Sequence, residues 1–123
     1  MYDIEINGTS YPVKFGMHFI SEINKRVTVA MDAWGGKEEN VGLNYYIAKL
    51  MDGDLEALQQ ILFVANKTES PKLNISMLNH WFEDENTDID AIFKQVTDFL
   101  SEANCTKKAY RTIKKAVEEQ NQN

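Results

Sequence analysis

Residues 2–15 read YDIEINGTSYPVKF, and this stretch decides how the chain begins to fold. Tyr2, Ile4 and Ile6 alternate with Asp3 and Glu5, and Tyr11, Val13 and Phe15 alternate with Pro12 and Lys14. Alternation of this kind marks strands with one buried face. Asn7-Gly8 separates the two runs, and both residue types accept the positive φ of a two-residue hairpin turn. That turn sets Ile6 opposite Thr9, Ile4 opposite Tyr11 and Tyr2 opposite Val13, so the apolar residues of both strands share a face. Pro12 has no amide donor, so its strand is expected to be an edge there. A hairpin alone is marginal in water, and its apolar face must lie on something else.

Downstream the periodicity becomes helical. Phe19, Ile20, Ile23 and Val27 recur at helical spacing after Gly16. Residues 28–40 turn polar, with Gly35-Gly36 and Glu38-Glu39-Asn40, and are expected to form a surface loop. The next stripe is Leu43, Tyr46, Ile47, Leu50 and Met51, ended by Asp52-Gly53. Asp54 is expected to cap the following helix, whose stripe is Leu55, Leu58, Leu62 and Ala65. Ser70-Pro71 interrupts the chain. Leu78, Trp81 and Phe82 mark a short helix closed by Asp84-Glu85-Asn86, with at least one of its rings in the core.

Thr87-Asp88-Ile89-Asp90 has the form of a capping box with Asp in place of Glu or Gln. It opens the clearest helix, residues 88–103, carrying Ile89, Ile92, Phe93, Val96, Phe99, Leu100 and Ala103. Phe93 and Leu100 are therefore expected in the core. Thr106 is expected to cap a last helix with Ala109, Tyr110, Ile113, Ala116 and Val117. These elements predict one α+β domain, mainly helical: an N-terminal antiparallel hairpin followed by five or six short helices over residues 1–117. Residues 118–123 are polar and are expected to fray.

The chain has 123 residues, with 13 basic and 19 acidic side chains and a formal net charge of −6. This balance argues against nucleic acid or an anionic membrane as a partner, since both need clustered positive charge. The one cysteine, Cys105, forms no internal disulfide. No apolar run approaches the ~20 residues of a membrane span, and Asp3 and Glu5 near the start are unlike a signal peptide. A reducing cytoplasm is the expected location, so the sequons at Asn7, Asn66, Asn74 and Asn104 are read as accidental. Charge is sorted along the chain: residues 1–106 hold 8 basic and 17 acidic side chains, net −9, whereas residues 107–123 hold 5 and 2, net +3. Lys107, Arg111, Lys114 and Lys115 share one face of the last helix, and Glu83, Asp84, Glu85, Asp88 and Asp90 gather at 83–90. Two solvated faces tuned to helix dipoles account for this; contact of the basic helix with an acidic turn of another molecule is the alternative.

Catalytic and metal-binding motifs fail on spacing. Gly35-Gly36-Lys37 lacks the earlier Gly and the following Ser or Thr of a phosphate loop, since Met31 and Glu38 stand there. A calcium loop begun at Asp52 puts Ala57 and Phe63 where Gly and a bidentate Glu are needed, and one begun at Asp84 puts Ile89 and Gln95 there. His18 and His80 stand in no ligand spacing. Cys105 has no CxxC partner, and Ser21 with His18 has no orienting or oxyanion motif beside it. A non-enzymatic binding protein with no cofactor and no metal is expected. Three aromatics fall off the core stripes and are the candidate partner-binding residues. Trp34 stands in the glycine-bearing segment. Tyr45 lies with Val41, Lys49 and Asp52, and Phe63 with Glu56, Gln59 and Lys67. Together they offer an apolar patch to another chain.

The blocks YDIEINGTSYPVKFG (2–16), VGLNYYIAKLMDGDLEALQQILFVAN (41–66) and DENTDIDAIFKQVTDFLSEAN (84–104), in this order, resemble the phage tail assembly chaperones of long-tailed phages and prophages of Gram-positive bacteria. The resemblance implies a protein that coats the long helical tape measure protein in the host cytoplasm until tail-tube subunits assemble, and that is absent from the mature virion. It also implies the tail-tube protein and a frameshifted longer form of the chain itself as further partners, with self-association open. It supplies no contact residues, so the candidate sites rest on helical faces alone. The rival readings are a structural head–tail or tail-tube component and a small acidic inhibitor that mimics DNA.

Overall fold

The computed structural model describes residues 2–31 and 37–121. Strands β1 (Tyr2–Ile6) and β2 (Thr9–Val13) pair antiparallel, with Ile6 opposite Thr9, Ile4 opposite Tyr11 and Tyr2 opposite Val13, in the register that the sequence predicts. Asn7 and Gly8 take φ of 51° and 82°, as the turn requires. Ile4, Ile6, Tyr11 and Val13 are buried. Counting from the turn-closing pair Ile6–Thr9, the ring nitrogen of Pro12 faces away from β1, so no ladder bond is lost. This outer edge is held elsewhere: the Pro12 carbonyl accepts from Asn66 Nδ2 at 2.8 Å, and the Lys14 amide donates to the Ala65 carbonyl at 2.8 Å.

Helix α1 (Met17–Asn24) buries Phe19 and Ile23. Phe19 meets Phe15 edge-on, with ring centroids 5.1 Å apart. The expected surface loop over 28–40 is corrected: β3 (Thr28–Met31) and β4 (Lys37–Asn40) pair antiparallel, with Thr28 opposite Asn40 and Met31 opposite Lys37. The Val41 amide donates to the Val27 carbonyl at 2.8 Å and closes the base of this ribbon. The reason is backbone satisfaction: a chain that leaves α1 and returns beside it can pair its own amides and carbonyls. β4 reads Lys-Glu-Glu-Asn and carries no apolar alternation to reveal it.

Helix α2 (Gly42–Met51) starts tight against α1. A Cβ on Gly42 would meet the Ile23 carbonyl oxygen. Its N-cap, Val41, offers no side-chain acceptor, and Asn24 Oδ1 instead accepts from the Leu43 amide at 2.8 Å. Helix α3 (Leu55–Asn66) is capped by Asp54 as expected, with Oδ1 accepting from the Ala57 amide at 2.9 Å. It is the central element, packed on α1, α2, α4 and β2, and it buries Leu58, Ile61, Leu62, Val64 and Ala65. The predicted stripe began one turn early, for Leu55 is 39% exposed.

Helix α4 (Ile75–Glu83) is capped by Asn74, which accepts from the Met77 amide at 2.8 Å. Its Leu78 is buried, while Trp81 and Phe82 are half-buried against the core and stacked 5.6 Å apart. Helix α5 (Ile89–Glu102) is continuous, as predicted. Its cap, however, is Asp88, which accepts from the Ala91 amide at 3.1 Å, one residue beyond the expected Thr87. Helix α6 (Lys107–Asn121) packs on α2 and α5. Thr106 precedes it, fully buried, and its hydroxyl donates back to the Leu100 carbonyl at 2.7 Å. The helix continues through Glu118, Glu119 and Gln120, all exposed. The described residues form an N-terminal hairpin and six helices, an α+β arrangement that is mainly α, with the β3–β4 ribbon added.

Candidate partner-binding surface

Of the three off-stripe aromatics, Tyr45 stands where helical phase puts it, on the outer face of α2 and 43% exposed. Its ring meets Tyr46 edge-on at 5.3 Å, and Lys49 Nζ, one turn on, lies 5.7 Å from its centroid. Phe63 differs from expectation. It is half-buried and packs against the core, with Lys67 Nζ 5.3 Å from its ring. A helix enclosed by four neighbours has little truly polar face, which is why phase within α3 overstated the exposure of Phe63. Trp34 lies outside the described residues.

Several surface depressions among the described residues offer apolar contact, and neither Tyr45 nor Phe63 lines these. One, of about 580 Å³, runs between the end of α2 and the α5–α6 pair, with Met51, Phe93, Tyr110 and Val117 below a rim that carries Lys94 and Lys114. A second, of about 590 Å³, lies between the hairpin and α4 and includes Tyr11, Met77 and Trp81. A third, of about 560 Å³, opens beside the start of α1, where Phe19 and Val64 lie behind Met17. Met17 is 70% exposed, more than any other large apolar side chain among the described residues. The sequence signal for it was its position two residues before Phe19, off the α1 stripe.

His18, His80 and Cys105 are all exposed, on α1, on α4 and between α5 and α6. Among the described residues no group of three His, Cys, Asp or Glu side chains is placed to hold a metal ion, and no helix is long and apolar enough to cross a membrane. The surface presents apolar depressions with charged rims and an exposed tyrosine. A sequence profile of phage tail assembly chaperone proteins matches residues 3–115.

The chain belongs to the phage tail assembly chaperone family. No curated protein and no solved structure matches it. The chaperone match starts in β1, runs through the β3–β4 ribbon that sequence periodicity missed, and ends within α6 at Lys115. All five basic residues of α6 fall inside it.

Proposed function

We infer that this protein is a non-enzymatic chaperone that binds the tape measure protein and keeps it soluble until tail-tube subunits assemble around it. Membership of the tail assembly chaperone family over residues 3–115 carries the reading. The physics supports it. A long helical chain waiting for its tube exposes apolar stripes that aggregate or pair wrongly. Depressions such as the one holding Met51, Phe93, Tyr110 and Val117 suit the apolar face of a helix. Many weak contacts along one partner gain avidity and still release one at a time. Competition from tube subunits then removes the chaperone, which stays in the host cytoplasm and out of the virion. The tail-tube protein and a frameshifted longer form of this chain are the further partners of this scheme.

Tyr45 heads the proposed contact residues, followed by Phe63 and Trp34. Co-expression tests this: tape measure fragments stay soluble with wild-type protein and precipitate with a folded Trp34→Ser, Tyr45→Ser, Phe63→Ser variant. Because Phe63 packs on the core, Tyr45→Ser alone is the cleaner probe; an exposed ring changes stability by less than ~1 kcal/mol, whereas an interface anchor costs ~2 kcal/mol or more in binding. A folded triple variant that still solubilises the fragments moves the binding surface elsewhere. Mass spectrometry of purified virions decides between chaperone and structural component, since the chaperone is absent and the component present.

A further inference from the structure

Helix α6 is 15 residues long, yet among its described side chains Tyr110 is the one it buries. Ala109, Ile113 and Val117 are half-buried, and the rest are exposed. Helix α5, of 14 residues, buries Ile92, Val96 and Leu100. Tyr110, Ile113 and Val117 repeat at i, i+3 and i+7, the anchor spacing with which an amphipathic helix lies in an apolar groove. Here the groove belongs to α2 and α5, on which α6 packs. The Thr112 hydroxyl donates within α6, to the Lys108 carbonyl at 3.1 Å. Thr106, just ahead of the helix, is bonded to the end of α5 and fixes the pivot. Nor does α6 fill the groove. Beside its second half lies the depression of about 580 Å³, where Met51 of α2 and Ile89 and Phe93 of α5 line the wall. Its border carries Asp90, Asp98 and Glu118 together with Lys94 and Lys114, so apolar shape rather than charge sets what it takes.

We propose that α6 is a removable occupant of the α2–α5 groove, and that an amphipathic helix of the partner, with large apolar side chains at the i, i+3 and i+7 spacing of Tyr110, Ile113 and Val117, takes its seat. The proposal rests on the binding function inferred above. A groove covered by the chain's own helix keeps its apolar floor out of water until the partner arrives. An isolated helix of this length is marginal in water, so α6 owes its form to the seat and is loosened by losing a few apolar contacts. The partner then meets only the open fraction of the molecules, and its apparent dissociation constant is the intrinsic one divided by that fraction. A change that loosens α6 without touching the floor of the groove therefore tightens binding. Docking beside a seated α6 predicts the opposite, because Tyr110 and Val117 would then belong to the contact surface.

The experiment uses the full chain and a purified tape measure fragment. Calorimetric titration compares wild type with Ile113→Ser, Val117→Ser, which removes apolar contacts of α6 and leaves Met51, Ile89 and Phe93 in place. The double variant is expected to bind at least about threefold tighter. Met51→Lys, which sets a charge in the groove, is expected to bind at least about tenfold more weakly. Hydrogen exchange on the wild type is expected to show the α6 amides losing protection as the fragment binds, while those of α2 and α5 gain it. If the double variant is unfolded by circular dichroism, Val117→Ser alone serves. Unchanged or weaker binding by a folded loosened variant overturns the proposal, as does an α6 that keeps or gains protection in the complex, or Met51→Lys that binds as wild type does. Those results leave tape measure binding intact. Failure of wild type and loosened variant alike to bind any fragment strikes the binding function itself, and with it this occupant of the groove.

Discussion

At the scale of single residues, asparagines carry an unexpected share of the structure. Asn7 forms the hairpin turn, Asn24 serves the start of α2, and Asn74 caps α4. Asn66 is 1% exposed and has every polar atom engaged: Nδ2 donates to the carbonyls of Pro12 at 2.8 Å and Pro71 at 3.1 Å, and Oδ1 accepts from the Leu73 amide at 2.6 Å. One side chain thus joins the β2 edge, the end of α3 and the approach to α4. Its sequon is closed in the folded chain, since the amide nitrogen that would carry a glycan is buried and bonded. Asn66→Ala leaves buried backbone groups without partners, and urea denaturation is expected to show a loss of about 2–4 kcal/mol. A loss under ~1 kcal/mol would mean that water replaces the amide.

At the scale of elements, caps and stripes give sharper tests. Asp88, not Thr87, accepts from the first turn of α5. Asp88→Ala should therefore cost about 1 kcal/mol in stability and Thr87→Ala less than ~0.5 kcal/mol; the reverse order in denaturant melts would restore the capping box read from sequence. Along the same helix, Leu100 is fully buried whereas Phe93 is half-buried and lines the α5–α6 depression. Leu100→Ala is expected to cost ~2–5 kcal/mol. Phe93→Ala, which removes a ring already partly in water, should cost about 1–3 kcal/mol. Equal losses would place Phe93 in the core proper.

For the whole molecule, the proposed binding function predicts which reactive side chains are dispensable. His18, His80 and Cys105 are exposed and stand on three separate parts of the fold. The combined variant His18→Ala, His80→Ala, Cys105→Ser should keep a melting transition within ~0.5 kcal/mol of wild type and solubilise tape measure fragments as well as wild type does. A folded variant that lost this capacity would point to chemistry at one of the three. The exposed tyrosine of α2 then carries the test with a tail partner.

Sequence by itself determined whatever depends on near neighbours. The hairpin register followed from a period of two and an Asn-Gly turn, and Asp54 and the course of α5 followed from a polar residue ahead of a helical stripe. The ordered blocks pointed to the tail assembly chaperones. Tertiary structure decided the rest, for reasons of distance. The bond from Asn66 to Pro12 spans 54 positions, and that from Asn24 to Leu43 spans 19. The ribbon of β3 and β4 pairs through backbone groups that every sequence carries, so polar β4 gave no sign of it. Phe63 shares a phase with Glu56 and Lys67, yet it is half-buried because neighbours enclose α3 on several sides. Periodicity reports which face of an element is apolar; how many neighbours surround that element is set by packing, and packing decides which rings remain for a partner.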